Sequence, residues 1–140
     1  MRRIIAIDIG GVIRTKNEHA SIHTDNYLEA PVVPGAKEGL TVLIKLFGAE
    51  NVHLVSRCSL SKQKRSLEWL EHNGIFELGI LRENVHLCVG KQGKLECLLE
   101  LAPESLIDDR IDQYLIPNCV RYQFHNQTWQ LIKEMNNENL

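Results

Sequence analysis

Short apolar runs, the first of them rich in β-branched residues, alternate with segments of helical periodicity along this chain, and that alternation constrains its fold more than any other feature. The run at residues 3–9 is continuous rather than alternating, as expected of a strand buried on both faces. Ala36, Leu40, Leu43, Ile44 and Phe47 recur at helical spacing, with Pro34-Gly35 as the start signal and Gly48 as the stop. A second apolar run covers residues 51–55. A helix through His72 follows it, with Ser59 or Ser61 as candidate caps and Asn73-Gly74 as the end. A third run lies at 85–89. Leu95, Leu98, Leu99 and Ala102 then share one helical face, and Pro103 stops that helix. A very short run at 105–107 feeds Asp108-Asp109. A last strand is expected at 119–124, a last helix at 128–135, and a frayed tail at 136–140.

Strands alternating with helices through short connections imply right-handed βαβ units. The fold class is therefore α/β, a Rossmann-like three-layer sandwich around a mostly parallel sheet. The 140 residues suit one domain, 1–140, and no linker divides them.

Composition narrows the function classes. A formal charge of −2 gives no basic field for a nucleic-acid backbone, so nucleic acid is not an expected partner. Asp8 cuts the first apolar run and no A-x-A-like cleavage site follows, so that run does not read as a signal peptide. No stretch approaches the roughly 18 apolar residues of a membrane span. The four cysteines, Cys58, Cys88, Cys97 and Cys119, lie far apart without zinc spacing and read as buried thiols of a cytoplasmic protein.

In parallel sheets, ligands bind beyond the carboxyl ends of the strands, where strand order reverses. The residues at those ends are Asp8, Ser56 and Asp108-Asp109. A carboxylate followed by Gly10-Gly11 can sit on a tight turn whose amides face an anion. A hydroxyl at Ser56 can bond a phosphoryl oxygen. A second carboxylate at the same edge can hold Mg²⁺, which takes oxygen ligands and keeps several waters. One lysine would complete the set by neutralising phosphate charge.

These residues carry a resemblance. Ile4-Ile5-Ala6-Ile7-Asp8-Ile9-Gly10-Gly11-Val12 resembles the first motif of the haloacid dehalogenase (HAD) superfamily of phosphotransferases and hydrolases, an apolar strand ending in Asp-x-Asp-Gly-Thr/Val. Pro34-Gly35-Ala36-Lys37-Glu38-Gly39-Leu40 is similar to the segment that opens the family's next helix. Val52-His53-Leu54-Val55-Ser56 resembles the second motif, and Leu106-Ile107-Asp108-Asp109-Arg110 the acidic fourth. Lys94 and Lys91 are the candidates for the third motif's lysine. Lys94 is preferred because it opens the helix leading to the Asp pair.

The resemblance implies a phosphatase in which Asp8 is the nucleophile and forms an aspartyl-phosphate. Ser56 and Lys94 would hold the phosphoryl group, with Arg57 and Gly11 as further phosphate contacts. Mg²⁺ would be held by Asp8, the Gly10 carbonyl and Asp108, with Asp109 beside them or acting through water. Residues 13–33 leave room for a flap but no cap domain. Cap-less members often act on large phosphorylated substrates. The departure from the family is Gly10, where its phosphatases carry the acid/base Asp. Loss of a positioned acid/base typically costs about 10²–10⁴-fold in rate. Three readings absorb the glycine: a substitute acid/base in the flap (Glu18, His19, His23 or Asp25), a substrate with a good leaving group such as an aryl or acyl phosphate, or a domain that binds without turnover.

Other residues have plainer accounts. A Cys-x₅-Arg phosphate loop from Cys58 would need arginine where Lys64 stands, so Cys58 reads as an ordinary thiol beside Ser56. Arg57 and Arg110 follow site residues and could orient phosphate. Lys62, Lys64 and Arg65 read as a solvated helix face, Trp69 and Trp129 as packing, and Tyr27 as a flap residue near substrate or against the domain. His53 and His86 read as hydrogen-bonded core residues.

Overall fold

The computed structural model describes residues 3–138. Its strands are β1 (Ile5–Ile7), β2 (Val52–Arg57), β3 (Val85–Cys88), β4 (Ser105–Asp108) and β5 (Val120–Gln123), and its helices are α1 (Ala36–Phe47), α2 (Gln63–His72), α3 (Gly90–Leu101) and α4 (Thr128–Glu138). Among the described residues the strands form one five-stranded sheet in the order β3-β2-β1-β4-β5, with every adjacent pair parallel. The chain is thus α/β with a Rossmann-like order that reverses at β1. β1 pairs with β2 through Ile5 and Val52 and with β4 through Ile5 and Ser105.

Side-chain alternation along β1 separates two cores. Ile5 and Ile7 face a layer that includes Leu40 and Leu43 of α1, Trp69 and Leu70 of α2, and Trp129 and Ile132 of α4. Ala6 faces the other layer, with Leu98 of α3, Leu106 and Tyr114. Three apolar residues, Ile5, Ala6 and Ile7, buried on both sides are what a central parallel strand requires.

α1 spans the expected residues, between Gly35 at φ +85° and Gly48 at φ +88°. Gly39 lets α4 approach, because a Cβ there would collide with the Trp129 ring. Trp129 and Trp69 are both buried and donate their indole N–H groups to Val12 O (2.8 Å) and Ala30 O (2.9 Å). No helix among the described residues is long and apolar enough to cross a membrane.

Several expectations are corrected in detail. Residues 60–62 form a 3-10 turn ahead of α2, and neither Ser59 nor Ser61 caps that helix; their hydroxyls face each other at 3.4 Å. α3 starts at Gly90, so Lys94 lies in its second turn rather than opening it. Leu99 is exposed, because the buried face of α3 follows Lys94 and Leu98 instead. α4 continues to Glu138, into the segment expected to fray, and residues 139–140 lie outside the described residues. Only Cys58 is fully buried; Cys88, Cys97 and Cys119 are half-exposed free thiols. β1 is also shorter than the apolar run that contains it, since ladder pairing ends at Ile7 where the chain turns.

Candidate functional site

β1 ends at the position where strand order reverses, so the residues just beyond it open into the crevice between β1 and β4. Asp8 stands there, its amide bonded to Ile107 O at 2.9 Å. Asp108 is the last residue of β4, and Asp109 follows it. Oxygens of Asp8, Asp108 and Asp109 lie within 4.8 Å of one another. Such an all-oxygen set suits a hard divalent cation.

Lys94 reaches this cluster from α3. It is 2% exposed, and its Nζ donates to Asp8 Oδ1 at 3.1 Å and to Asp108 Oδ2 at 2.6 Å. Its ammonium lies 4.8 Å from the centre of the Tyr114 ring. Lys91, the other candidate, is exposed and absent from the cleft lining. Lys16 reaches from the segment after β1 and donates to Asp109 Oδ2 at 2.7 Å. Three carboxylates therefore face two ammonium groups.

The electrostatics follow from burial. Desolvation, reinforced by the Asp108 and Asp109 charges and opposed by Lys94, raises the Asp8 carboxyl to about 7. Burial disfavours the Lys94 ammonium, but the Asp8 and Asp108 charges outweigh it and hold its pKa above the ordinary value. Burial of Asp109 is likewise outweighed, chiefly by the hydrogen bond from Lys16, and its carboxyl stays below the usual range.

The cluster floors a cleft of about 770 Å³. Asp8, Gly10, Ser56, Arg57, Lys94, Asp108 and Asp109 all line it, so residues from the ends of three strands and one helix meet as the sequence suggests. Ser56 is buried at the end of β2; Arg57 is exposed, with Nη1 3.4 Å from Gln113 Oε1. Arg110 also lines the wall, and its amide donates to Asp108 Oδ1 at 2.8 Å.

Two expected contributions are not met. The Gly11 amide is not available to an anion, because the turn folds back and that N–H donates to Arg14 O at 2.7 Å. The structure does not bring His19 or Asp25 to the cleft; Asp25 is fully exposed and pairs with Arg65 at 3.3 Å. Glu18 and His23 do line it. Residues 13–33 are more than a solvated loop. Val33 N donates to Ile13 O and Thr15 N to Pro31 O, closing the base of the excursion. Arg65 of α2 donates to the Ile22 and Thr24 carbonyls and stacks on Tyr27.

Sequence reasoning passed over Arg14, Lys16, Gln113 and Tyr114, all of which line the cleft. The available signal was the Gly10-Gly11 turn itself. Three successive amides, of Val12, Ile13 and Arg14, donate to Ile9 O, and this tight reversal returns residue 14 to the side of residue 10.

No family model matches this chain, and no curated protein matches it significantly.

Proposed function

We propose that this chain is a Mg²⁺-dependent phosphohydrolase of the HAD type, a single domain acting through an aspartyl-phosphate on Asp8. The observation that carries the reading is Lys94, buried between Asp8 and Asp108 at the sheet edge where strand order reverses. A nucleophilic carboxylate repels a phosphate, and a site for that attack needs fixed positive charge beside it.

The donor set fits Mg²⁺: the clustered side-chain ligands are carboxylate oxygens, and one negative charge is left after Lys94 and Lys16 are counted. Asp8, Asp108 and the Gly10 carbonyl would hold the ion, with Asp109 beside them. When bound, it would supply positive charge that offsets the repulsion between the Asp8 carboxylate and an incoming phosphate. Asp8 attacks phosphorus, and the bond to the leaving oxygen breaks with its electron pair on that oxygen. Water then attacks the phosphorus of the aspartyl-phosphate, giving inorganic phosphate and restoring Asp8. Lys94 and Ser56 orient the phosphoryl group, and Arg57 extends the charged wall. The uncapped cleft suits a large phosphorylated substrate, and the four free thiols fit a reducing, cytoplasm-like compartment.

A second reading, a phospho-ligand-binding domain with weak or absent turnover, is favoured by Gly10, which supplies no acid or base. Hydrolysis of p-nitrophenyl phosphate with and without Mg²⁺ separates the two, since its aryl leaving group needs little protonation. Mg²⁺-dependent turnover by the wild type that is lost in Asp8→Asn supports the hydrolase. Absence of turnover in folded wild-type protein leaves the binding domain.

A further inference from the structure

Arg14 is 9% exposed, yet it lines the cleft and its Nη1 has no hydrogen-bond partner. Among the described residues no carboxylate lies within ion-pair distance of it. A buried guanidinium without a counter-ion is costly, since the group stays charged and its donors are left unmade. Its packing explains how it is held: the guanidinium lies 5.5 Å from the centre of the Trp69 ring. Trp69 belongs to the α1/α2/α4 layer, whereas Lys94 rests on Tyr114 in the α3 layer. The two cations therefore approach the end of β1 from opposite faces of the sheet.

They differ in availability. Lys94 is engaged by Asp8 and Asp108, and Lys16 by Asp109. Arg14 has no such partner, and Gly10 leaves the space beside its Nη2 unfilled. A Cβ on residue 10 would lie 3.5 Å from Arg14 Nη2, so any longer side chain there would fill the approach to the guanidinium.

We propose that the Gly10–Arg14 corner is a second oxyanion seat, and that the ligand of this cleft carries a second anionic group next to its phosphoryl group. The phosphoryl group sits on the Lys94 and Ser56 side, and the second oxyanion pairs with Arg14. The shared chemistry is an oxyanion one or two bonds beyond the phosphoryl group, supplied by a phosphate or by a carboxylate. The choice of phosphoryl for the first group rests on the hydrolase reading; the need for an anion at Arg14 does not.

The test is calorimetric binding to Asp8→Asn protein without metal, using inorganic phosphate, pyrophosphate and phosphonoacetate. Pyrophosphate or phosphonoacetate is expected to bind about tenfold or more tighter than phosphate, as a hydrogen-bonded charge pair provides. Whichever binds tighter identifies the second group. Arg14→Gln in that background is expected to erase the advantage while leaving phosphate binding nearly unchanged. Gly10→Asp is expected to erase the advantage as well, by giving Arg14 an internal partner, and it keeps the test decisive if Arg14→Gln does not fold. Equal affinity for the three probes, an advantage that survives both substitutions, or no binding by folded protein would each overturn the seat. Because Asp8→Asn removes the nucleophile, these affinities bear on the seat alone, and turnover by the wild type bears on the hydrolase reading alone.

Discussion

Lys94 Nζ stands 3.1 Å from Asp8 Oδ1, joining the second turn of α3 to the residue after β1 across 86 positions of sequence. The same nitrogen bonds Asp108, so one ammonium ties together the two strands that flank the reversal of strand order. Removing one partner of a buried ion pair strands the other, at a cost of about 3–5 kcal/mol. Lys94→Met is expected to lose stability of that order in chemical denaturation at pH 8. The loss should shrink at pH 5, where Asp8, raised to about 7 in the intact site, is protonated. Lys91→Met, on an exposed position of the same helix, is expected to stay within about 0.5 kcal/mol of wild type. Equal effects from both substitutions would dismiss Lys94 as the organising lysine.

Asp8 is where activity and stability pull apart. Between pH 3.8 and about 7 the folded protein holds a proton on Asp8 that the unfolded chain has released. Stability from this group therefore falls as pH rises through that window. Asp8→Asn removes the titration, so above pH 7 the metal-free variant should melt no lower than wild type. Its Mg²⁺-dependent hydrolysis of p-nitrophenyl phosphate is expected to drop at least about a thousandfold, as for loss of a nucleophile. A variant that melts well below wild type at pH 8 would contradict the strained carboxylate, and surviving turnover would contradict its role as nucleophile.

The α/β architecture was legible because its signals are local. Apolar runs marked β1 and β2, and glycines with positive φ bounded α1 where Gly35 and Gly48 stand in the sequence. Asp8, Ser56 and Asp108 were legible for the same reason, since each stands at the carboxyl end of a strand. Lys94 was preferred to Lys91 as the residue opening the helix before β4, whereas it is the second-turn position, facing the sheet, that buries it. Arg14 was not legible, because nothing in Ile13-Arg14-Thr15 distinguishes a buried guanidinium from a surface one. Its burial is set by Trp69 from a helix about fifty residues on, a contact that depends on sheet order. Leu99 misled for a related reason: the α3 face that packs is fixed by the Lys94 ion pairs as well as by hydrophobicity.

His53 Nδ1 and His86 Nε2 face each other at 2.9 Å with their rings stacked across β2 and β3. One nitrogen must donate and the other accept, so a proton on both breaks the bond. Burial lowers the His86 pKa below its ordinary 6.5, against the opposing charge of Glu100. The unfolded chain then takes up a proton at a pH where the folded protein does not, and stability is lost as pH falls below 6.5. Asp8 titrates in the opposite sense over the same window, so thermal melts between pH 7.5 and 5 should show this decline in the Asp8→Asn background, and adding His86→Gln should flatten the part of it that belongs to this pair. An unchanged slope in the variant would assign the decline elsewhere.

Gly11 combines two constraints at the edge of the acidic cluster. Its φ is +83°, and a Cβ there would lie 2.6 Å from Asp109 Oδ2 and 3.0 Å from Lys16 Cε. Gly11→Ala must therefore strain the backbone and push Asp109 away from Lys16 at the same time. The backbone part alone costs about 1–3 kcal/mol. Gly10 has ordinary backbone geometry and a Cβ clearance of 3.5 Å, so Gly10→Ala is expected to cost less than Gly11→Ala. Urea denaturation of the two variants measures the difference. If Asp109 belongs to the metal site, Mg²⁺ should raise the melting temperature of Gly10→Ala more than that of Gly11→Ala. The same Mg²⁺ shift in both would remove Asp109 from the set of ligands.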